Sequence, residues 1–519
     1  MARLLRILRG ADERLTGSFD HAFNAALNPW RHLGALAFLC LSIAVTSGVV
    51  AYALYDTSVN GAYASGLRLQ QAPLMLGRVL RGLHRYAADA CLALTVLHLL
   101  REAVRGHFGR VRWFAWVSGI PLLWLVWIAG LSGLWLPWDA RALYSAAATA
   151  EWLQALPVSA DLLVRNFLTP EALNDRFFSL IVFVHIGVPL LLLAGVWIHV
   201  QRISHVRVWP PRVLILGSLT MLVLLALVAP VESLGQADPL RRPAVLALDW
   251  FYLFLHPLVD ALSAPTVWWL AATLTAGLAT LPLWPKRQTP GAVHAPARVD
   301  LAYCNGCARC AADCPFGAVI MVPRSDGRHH IQQAQVNADL CVACGICAGA
   351  CPSSTPFRRV EKFVSGIDLP DLPVDLLRSQ MHQRIAELTG TSKLMLFTCR
   401  QAAQGAAFTD AGTAGMTLEC TAMLAPSFIE YALRLGVSGV VIAGCHEGDC
   451  EYRLGDRWTS ERLAGTREPH LRAAAPRNRV EVVWSGGDAR RVRQAIATLR
   501  HRLTSMDDVP GPDEQAPVA

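Results

Sequence analysis

The chain has 519 residues, 53% of them apolar, a formal net charge of +8 and 14 cysteines. It is too long for one ordinary domain, and its apolar residues concentrate in the first 285, which excludes a single soluble globule. The positive charge lies in loops beside apolar segments and not on one soluble face, so nucleic-acid binding is not expected.

Residues 1–32 open with MARLLRILRG, whose apolar run is too short and too promptly charged for a cleaved signal peptide. They predict an amphipathic surface segment. Segments 33–55, 113–138, 178–200 and 261–284 contain no Asp, Glu, Lys or Arg, and 212–230 has only Arg212 at its first position; each spans or nearly spans hydrocarbon. A sixth span is expected over 79–101 despite Arg81, Arg85 and Asp89 near its start. With six spans, one side carries fourteen Lys and Arg residues in its loops, among them Arg101, Arg110, Arg202, Lys286 and Arg287. The other side has seven, including Arg165, Arg241 and Arg242, beyond Arg81 at the start of the second span. This bias predicts a multi-pass protein of a bacterial cytoplasmic membrane with both termini in the cytoplasm.

Histidines supply the sharpest pattern in these spans. His84 and His98 are fourteen residues apart, and so are His185 and His199. Fourteen residues return a side chain to nearly the same helix face, roughly 21 Å further along. Two such helices facing each other predict two bis-histidine haems, one near each membrane surface. A single buried histidine is more often a hydrogen-bonded core residue, but polar groups at bilayer depth are costly and tend to be functional. Gly34 and Gly48 repeat the interval, as do Gly119 and Gly133. They predict close approach of a flat macrocycle, with helix packing through small residues as the alternative. Arg81 and Arg101, a turn outside the first pair of histidines, are placed to meet propionates; propionates or the interface would also hold Arg85 and Asp89. Cys40 and Cys91, inside spans, read as apolar packing residues.

The stretches RGLHRYAADACLALTVLHLLR, GLWLPWDARA and RFFSLIVFVHIGVPLLLLAGVWIH, with the paired glycines, resemble cytochrome b of the quinol-oxidising complexes over about residues 20–285. The resemblance implies two haem b groups, His84 and His185 holding the outer one and His98 and His199 the inner one, and a possible homodimer. In that family a Pro-Glu-Trp-Tyr motif lines the outer quinone pocket. Its counterpart here is Leu248-Asp249-Trp250-Phe251 followed by Tyr252. Asp249, Trp250 and Tyr252 are thus the candidate quinone-site residues, with a solvated loop carboxylate as the alternative for Asp249. The family's acidic partner near the inner surface has no counterpart in VRVWPPRVLILG, where His205 is the nearby candidate for an inner quinone site.

After a Pro-rich linker over 286–300 come two repeats, Cys304-x2-Cys307-x2-Cys310-x3-Cys314-Pro and Cys341-x2-Cys344-x2-Cys347-x3-Cys351-Pro. This is the spacing of a bacterial two-4Fe-4S ferredoxin, in which the fourth cysteine of each run serves the other cluster. One cluster is therefore assigned to Cys304, Cys307, Cys310 and Cys351, and its neighbour to Cys341, Cys344, Cys347 and Cys314. Zinc is the alternative for paired CxxC motifs, though the third cysteine and the Cys-Pro ending point away from it. Cysteine clusters on a reducing side also argue for metal centres over disulfides.

From 392 onward short apolar strands alternate with helices, and Cys399, Cys420, Cys445 and Cys450 stand at or just after strand ends. The motif GCHEGDCEYRLGD resembles the small iron-sulfur (delta) subunit of methyl-viologen-reducing hydrogenase over roughly 392–490. That resemblance implies a 2Fe-2S cluster on these cysteines and a flavoprotein partner of the heterodisulfide reductase type. Four unligated structural cysteines are the alternative.

The expected fold is multidomain: a surface segment (1–32), an all-α six-helix transmembrane bundle (33–285), a linker (286–300), an α+β ferredoxin-like two-cluster domain (301–365), a second linker (366–391), a small α/β domain (392–503) and a disordered tail (504–519). No dinucleotide-binding GxGxxG follows a strand, so a partner must handle two-electron organic substrates. The chain is read as an electron-transfer subunit, an oxidoreductase component linking a cytoplasmic flavoprotein to quinone. The alternatives are a quinol-oxidising subunit that feeds ferredoxin or a soluble acceptor, and a non-catalytic membrane anchor and relay. On the expected topology His98 and His199 lie toward the surface bearing the iron-sulfur region, and His84 and His185 toward Asp249.

Overall fold

The computed structural model describes residues 2–507 except 110, 157–173, 202–204, 239, 241–244, 248, 285–294, 359, 361–362 and 391. Expectations for Leu248, for most of the first linker, for the tail from 508 and for Arg110, Arg165, Arg202, Arg241, Arg242, Lys286 and Arg287 lie outside the described residues. The chain forms two compact units, Met1–Gln201 with Val206–Arg287, and Arg202–His205 with Gln288–Ala519.

In the first unit the helices are α1 (Ala2–Phe23), α2 (Leu33–Tyr52), α3 (Gly61–Gln70), α4 (Leu76–Arg105), α5 (Trp113–Trp135), α6 (Ala140–Gln154), α7 (Asp175–Val200), α8 (Arg212–Val228), α9 (His256–Leu262) and α10 (Ala264–Thr280). Every expected span has its helix, and α2, α5, α7 and α10 are long and apolar enough to cross a membrane. On α7, Phe183, Leu190, Leu191 and Trp197 are each at least 60% exposed, an apolar face suited to lipid. α2 packs on α4 and α5 on α7, with α8 against α4 and α10 against α5. Cys40 and Cys91 are buried with Leu41, Leu92, Leu122 and Trp127 between these helices.

Three helices in this unit, α3, α6 and α9, were not expected. α6 buries Ala142, Ser145, Ala146, Thr149 and Ala150 along one face, and Asp139 caps it, its carboxylate accepting from the Ala142 amide at 2.9 Å. Its apolar face is made of alanine, serine and threonine, so no long hydrophobic run announces it.

The second unit begins with β1 (Arg298–Val299), which pairs antiparallel with β4 (Ile367–Asp368). Between them lie α11 (Arg309–Asp313), the hairpin of β2 (Val319–Pro323) and β3 (Gln332–Val336), and α12 (Ile346–Ala350). α13 (Val374–Ala386), α14 (Pro426–Arg434), α15 (Gly455–Ala464) and α16 (Ala489–Asp507) then accompany a parallel sheet of order β6-β5-β7-β8. Its strands are β5 (Leu394–Cys399), β6 (Thr413–Leu418), β7 (Gly439–Gly444) and β8 (Val480–Trp484). Alternate residues serve two faces, as the two-residue period of a strand requires. Met395, Phe397, Val440 and Ile442 face α13 and α14, while Leu394, Leu396, Val441 and Ala443 face α16.

Three expected boundaries are corrected. Residues 366–391 are not a linker, because β4 closes the ferredoxin-like part and α13 buries Leu377, Met381 and Ile385. The first linker ends before β1, inside the range expected to be unstructured. The last helix continues through Asp507, past the expected start of the tail at 504. One buried core runs from Ala297 through Cys310, Ile367 and Met381 to Ile442, so the ferredoxin-like and α/β parts share their interior.

Candidate functional site

Antiparallel packing of α2 on α4, and of α5 on α7, sets each glycine against a histidine. A Cβ added at Gly34 would lie 3.4 Å from the His98 ring and at Gly48 2.9 Å from that of His84. At Gly119 it would lie 3.2 Å from His199, and at Gly133 2.7 Å from His185. The glycines thus leave room for the imidazole edges. The shared fourteen-residue interval follows, because a seat must repeat with its ring.

The rings of His84 and His185 face each other, 6.1 Å between centres and 74° between planes. A metal bonded by one nitrogen of each ring at about 2 Å would set the centres roughly 6 Å apart. The Nδ1 of His84 donates to the Ala44 carbonyl at 2.8 Å, and that of His185 to the Ala129 carbonyl at 3.0 Å. A carbonyl only accepts, so Nδ1 carries the proton and Nε2 keeps its lone pair for a metal. Hydroxyls add to this: Ser118 lies 2.9 Å from Nδ1 of His199, Ser132 3.3 Å from that of His185 and Ser47 3.4 Å from that of His84. Sequence reasoning missed these serines, each of which directly precedes one of the paired glycines, at 47–48, 118–119 and 132–133. Arg81 reaches Ser233 at 3.0 Å, and Arg101 lies 3.8 Å from Asp12 and 3.6 Å from Glu102.

One residue beyond His84, Arg85 pairs with Asp249 and also with Asp89, the latter at 2.9 Å. Asp249 is not the solvated carboxylate held open as an alternative. It is buried, and its second oxygen accepts from the amides of Phe251 and Tyr252 at 3.0 and 3.1 Å. Tyr252 is buried too; its ring lies beneath the Arg85 guanidinium at 5.3 Å, its hydroxyl faces Asp89, and Gly130 of α5 leaves room for it. Arg85 and Asp89 therefore do not wait for propionates or the interface; Arg85 holds both Asp89 and Asp249. Trp250 is 75% exposed and turned away from this group. His205 has its Nε2 2.9 Å from the Ala312 carbonyl and its ring edge-on to Trp458, so it is engaged within the second unit.

In that unit the crossed cysteine assignment corresponds to two cavities. Cys304, Cys307, Cys310 and Cys351 line one, and Cys314, Cys341, Cys344 and Cys347 line the other. Burial pushes the Cys310 thiol up to about 12, and the neighbouring Cys351, Cys307 and Cys304 push the same way. Thiols gathered in an apolar cavity ionise readily only if a cation replaces their protons, which is the condition a metal cluster meets.

Cys399, Cys420, Cys445 and Cys450 are all buried and meet at the carboxyl ends of the parallel strands, where open α/β sheets hold ligands. Sγ of Cys399 and Cys445 are 3.5 Å apart, while Cys420 and Cys450 contact each other. Two thiolates on one tetrahedral metal at about 2.3 Å stand roughly 3.7 Å apart. Flanking residues brace the quartet: Arg400 pairs with the buried Glu419, which accepts from the Tyr452 hydroxyl at 3.1 Å. Gly455 is required beside the sulfurs, since a Cβ there would collide with Cys420 and lie 2.9 Å from Sγ of Cys450.

Facing histidines in an apolar helical bundle, then two crossed cysteine cavities, then a cysteine quartet at a parallel-sheet edge follow one another along the chain. Comparison with known families agrees in the same order. The chain carries a cytochrome b domain (Cytochrome b/b6/petB, residues 19–206), a 4Fe-4S dicluster domain (303–355) and a domain of the methyl-viologen-reducing hydrogenase delta subunit (395–507). Similar curated proteins include a cytochrome b of Akanthomyces muscarius, 25% identical over 242 residues, which are 45% of this chain and 54% of that protein. The chain thus spans about half the length of that relative. The menaquinol:cytochrome c reductase cytochrome b subunit of Geobacillus thermodenitrificans is 26% identical over 196 residues, covering 35% and 87%. Cytochrome b6 of Synechococcus sp. strain WH7803 is 28% identical over 156 residues, covering 29% and 71%. A solved structure, a hyperthermophilic respiratory Complex III, aligns over 48% of this chain and 74% of its own with 19% identity and a TM-score of 0.40. A cytochrome b domain implies haem b, and a 4Fe-4S domain an iron-sulfur cluster.

Proposed function

We propose that the chain is a membrane electron-transfer subunit linking a cytoplasmic, heterodisulfide reductase-like flavoprotein to quinone near the outer face. On this reading His84 with His185, and His98 with His199, would hold two b haems. The twelve C-terminal cysteines hold two 4Fe-4S clusters and one 2Fe-2S cluster. When bound, these groups supply one-electron carriage, which no side chain here provides. The observation that carries the reading is the facing pair His84 and His185, each with Nδ1 already committed to a carbonyl and Nε2 left for iron.

The residues around Asp249 suit proton handling. Arg85 serves two carboxylates, Asp249 and Asp89, so a proton added to one leaves the guanidinium paired with the other. Tyr252 walls this group, and the exposed Trp250 lies outside it. Quinone reduction on the outer side is also favoured by the field. Electrons crossing from the cytoplasm move toward the positive side, which is worth about 2.3 kcal/mol per electron per 100 mV.

The test is the purified full chain in nanodiscs, with haem, iron and sulfide measured before turnover. Two haems per chain are expected, and Asp249→Asn is expected to keep both while slowing reoxidation by a water-soluble quinone analogue at least tenfold. A variant with both haems and an unchanged rate would remove Asp249 from the site. For direction, an imposed inside-negative potential should speed quinone reduction in proteoliposomes loaded with a reductant, and slowing would reverse the assignment.

A further inference from the structure

The side of α15 facing the ferredoxin-like part reads as one continuous contact strip. At its start Gly455 lies beside the sulfurs of Cys420 and Cys450, where a Cβ would clash. One turn on, the Thr459 hydroxyl meets that of Thr421 at 3.0 Å, and the Trp458 indole donates to the Asp313 carbonyl at 3.1 Å. A further turn on, Arg462, 1% exposed, donates to the Ala422 carbonyl at 2.6 Å and to the Asp313 carboxylate at 2.5 Å. Ala422 lies two residues after Cys420, and Asp313 immediately precedes Cys314. One guanidinium therefore grips the backbone beside the cysteine quartet and the side chain beside the Cys314 cavity.

These two cysteine sites are neighbours. Met423 and the Ala422 carbonyl press on Gly345 and Gly349, in the loop and helix of the second ferredoxin repeat, where a Cβ at either glycine would clash. Cys344 and Cys420 lie within electrostatic reach of each other. Asp313 is also held by Arg467 at 2.5 Å, so two cations converge on one buried carboxylate. The third nitrogen of the Arg462 guanidinium, Nε, has no hydrogen-bond partner among the described residues, and Cys420 is within reach of its charge.

We propose that Arg462 is the positioning residue of the junction between the Cys314 cavity and the cysteine quartet: its fork fixes their separation, and its buried charge favours the more negative, reduced state of both. A planar five-donor group suits this role because it binds two acceptors in fixed geometry and keeps its charge when buried. A positive charge in a low-dielectric interior acts strongly on nearby centres, and local charge is a recognised determinant of cluster potential. The proposal rests on the reading of these cysteines as cluster ligands.

The experiment is redox titration with electron paramagnetic resonance on the reduced full chain, after assay of iron and sulfide. Arg462→Met is expected to keep its iron, to lower both midpoint potentials and to lose the magnetic interaction between the two centres. Arg462→Lys, which keeps the charge but not the fork, is expected to hold the potentials near those of the unsubstituted chain while weakening the interaction. The double variant Asp313→Asn with Arg462→Met should lower the potentials less than Arg462→Met alone. Iron-loaded Arg462→Met with unchanged potentials and interaction overturns the proposal. If Arg462→Met loses iron, Arg462→Lys decides: unshifted potentials support the charge role and lowered ones overturn it. Absence of iron from the quartet of the unsubstituted chain overturns the underlying cluster reading, a result obtained before any substitution at Arg462.

Discussion

The imidazole of His185 has almost no freedom. Gly133 bounds its edge, the Ala129 carbonyl takes its Nδ1 proton and the Ser132 hydroxyl lies beside it. Gly133→Ala would push a methyl group to 2.7 Å from Cε1, closer than real Cβ atoms approach, so ring or helix must move. We expect this variant to carry about half the unsubstituted haem per chain, measured by the pyridine haemochrome assay; full occupancy would show that the seat is not needed. Arg85 gives a second prediction. Arg85→Met leaves buried carboxylates without their cation, which costs on the order of 3–5 kcal/mol when one partner of a buried pair is removed. Thermal unfolding of the detergent-solubilised variant should show a clear drop, and Arg85→Lys a smaller one. The histidines were legible because polar groups at fixed spacing stand out in an apolar run. The serines were not, since a hydroxyl in a membrane helix usually bonds its own backbone, as Ser42 does with the Phe38 carbonyl at 2.8 Å.

Elements were legible where their chemistry is uniform. Apolar runs with few or no charges announced the spans, and short apolar runs announced β5, β6, β7 and β8. α6 and α13 escaped because each mixes small or charged residues with a modest apolar face, Ala142 and Ala146 in one, Leu377 and Met381 in the other. Burial of such faces is decided by what packs on them, and that information is not local. The two ferredoxin repeats allow a sharper test. Cys314 belongs by sequence to the first repeat but lines the cavity of the second. Cys314→Ala should therefore disturb the cluster held by Cys341, Cys344 and Cys347 and spare that of Cys304, Cys307 and Cys310. Cys351→Ala should do the reverse. Resonance spectra of the two variants would separate the possibilities, and loss of the same-repeat cluster in each would refute the crossing.

For the molecule as a whole, the C-terminal two-fifths of the chain cannot be treated as beads on a string. α13 lies in a region that reads as a linker, yet it packs on the sheet formed by later residues, and the shared core reaches back to Ala297. Fully burying one large aliphatic side chain contributes about 1.5–3 kcal/mol, and truncation at 391 would expose several, among them Leu377, Met381, Ile385 and Leu388. Such a truncated chain should lose most of its 4Fe-4S content and aggregate when extracted; one that keeps both clusters would show that the ferredoxin-like part is independent.

The crossed cysteines also bear on biogenesis. As the chain leaves the ribosome, Cys304, Cys307 and Cys310 emerge together, but the cavity they line is completed by Cys351, and the neighbouring cavity needs Cys314 with Cys341. Neither nest can close on its own stretch of nascent chain. If these cavities hold the proposed clusters, insertion of inorganic iron and sulfide would be deferred until the hairpin of β2 and β3 has brought both runs together, and metallation would report on completed folding.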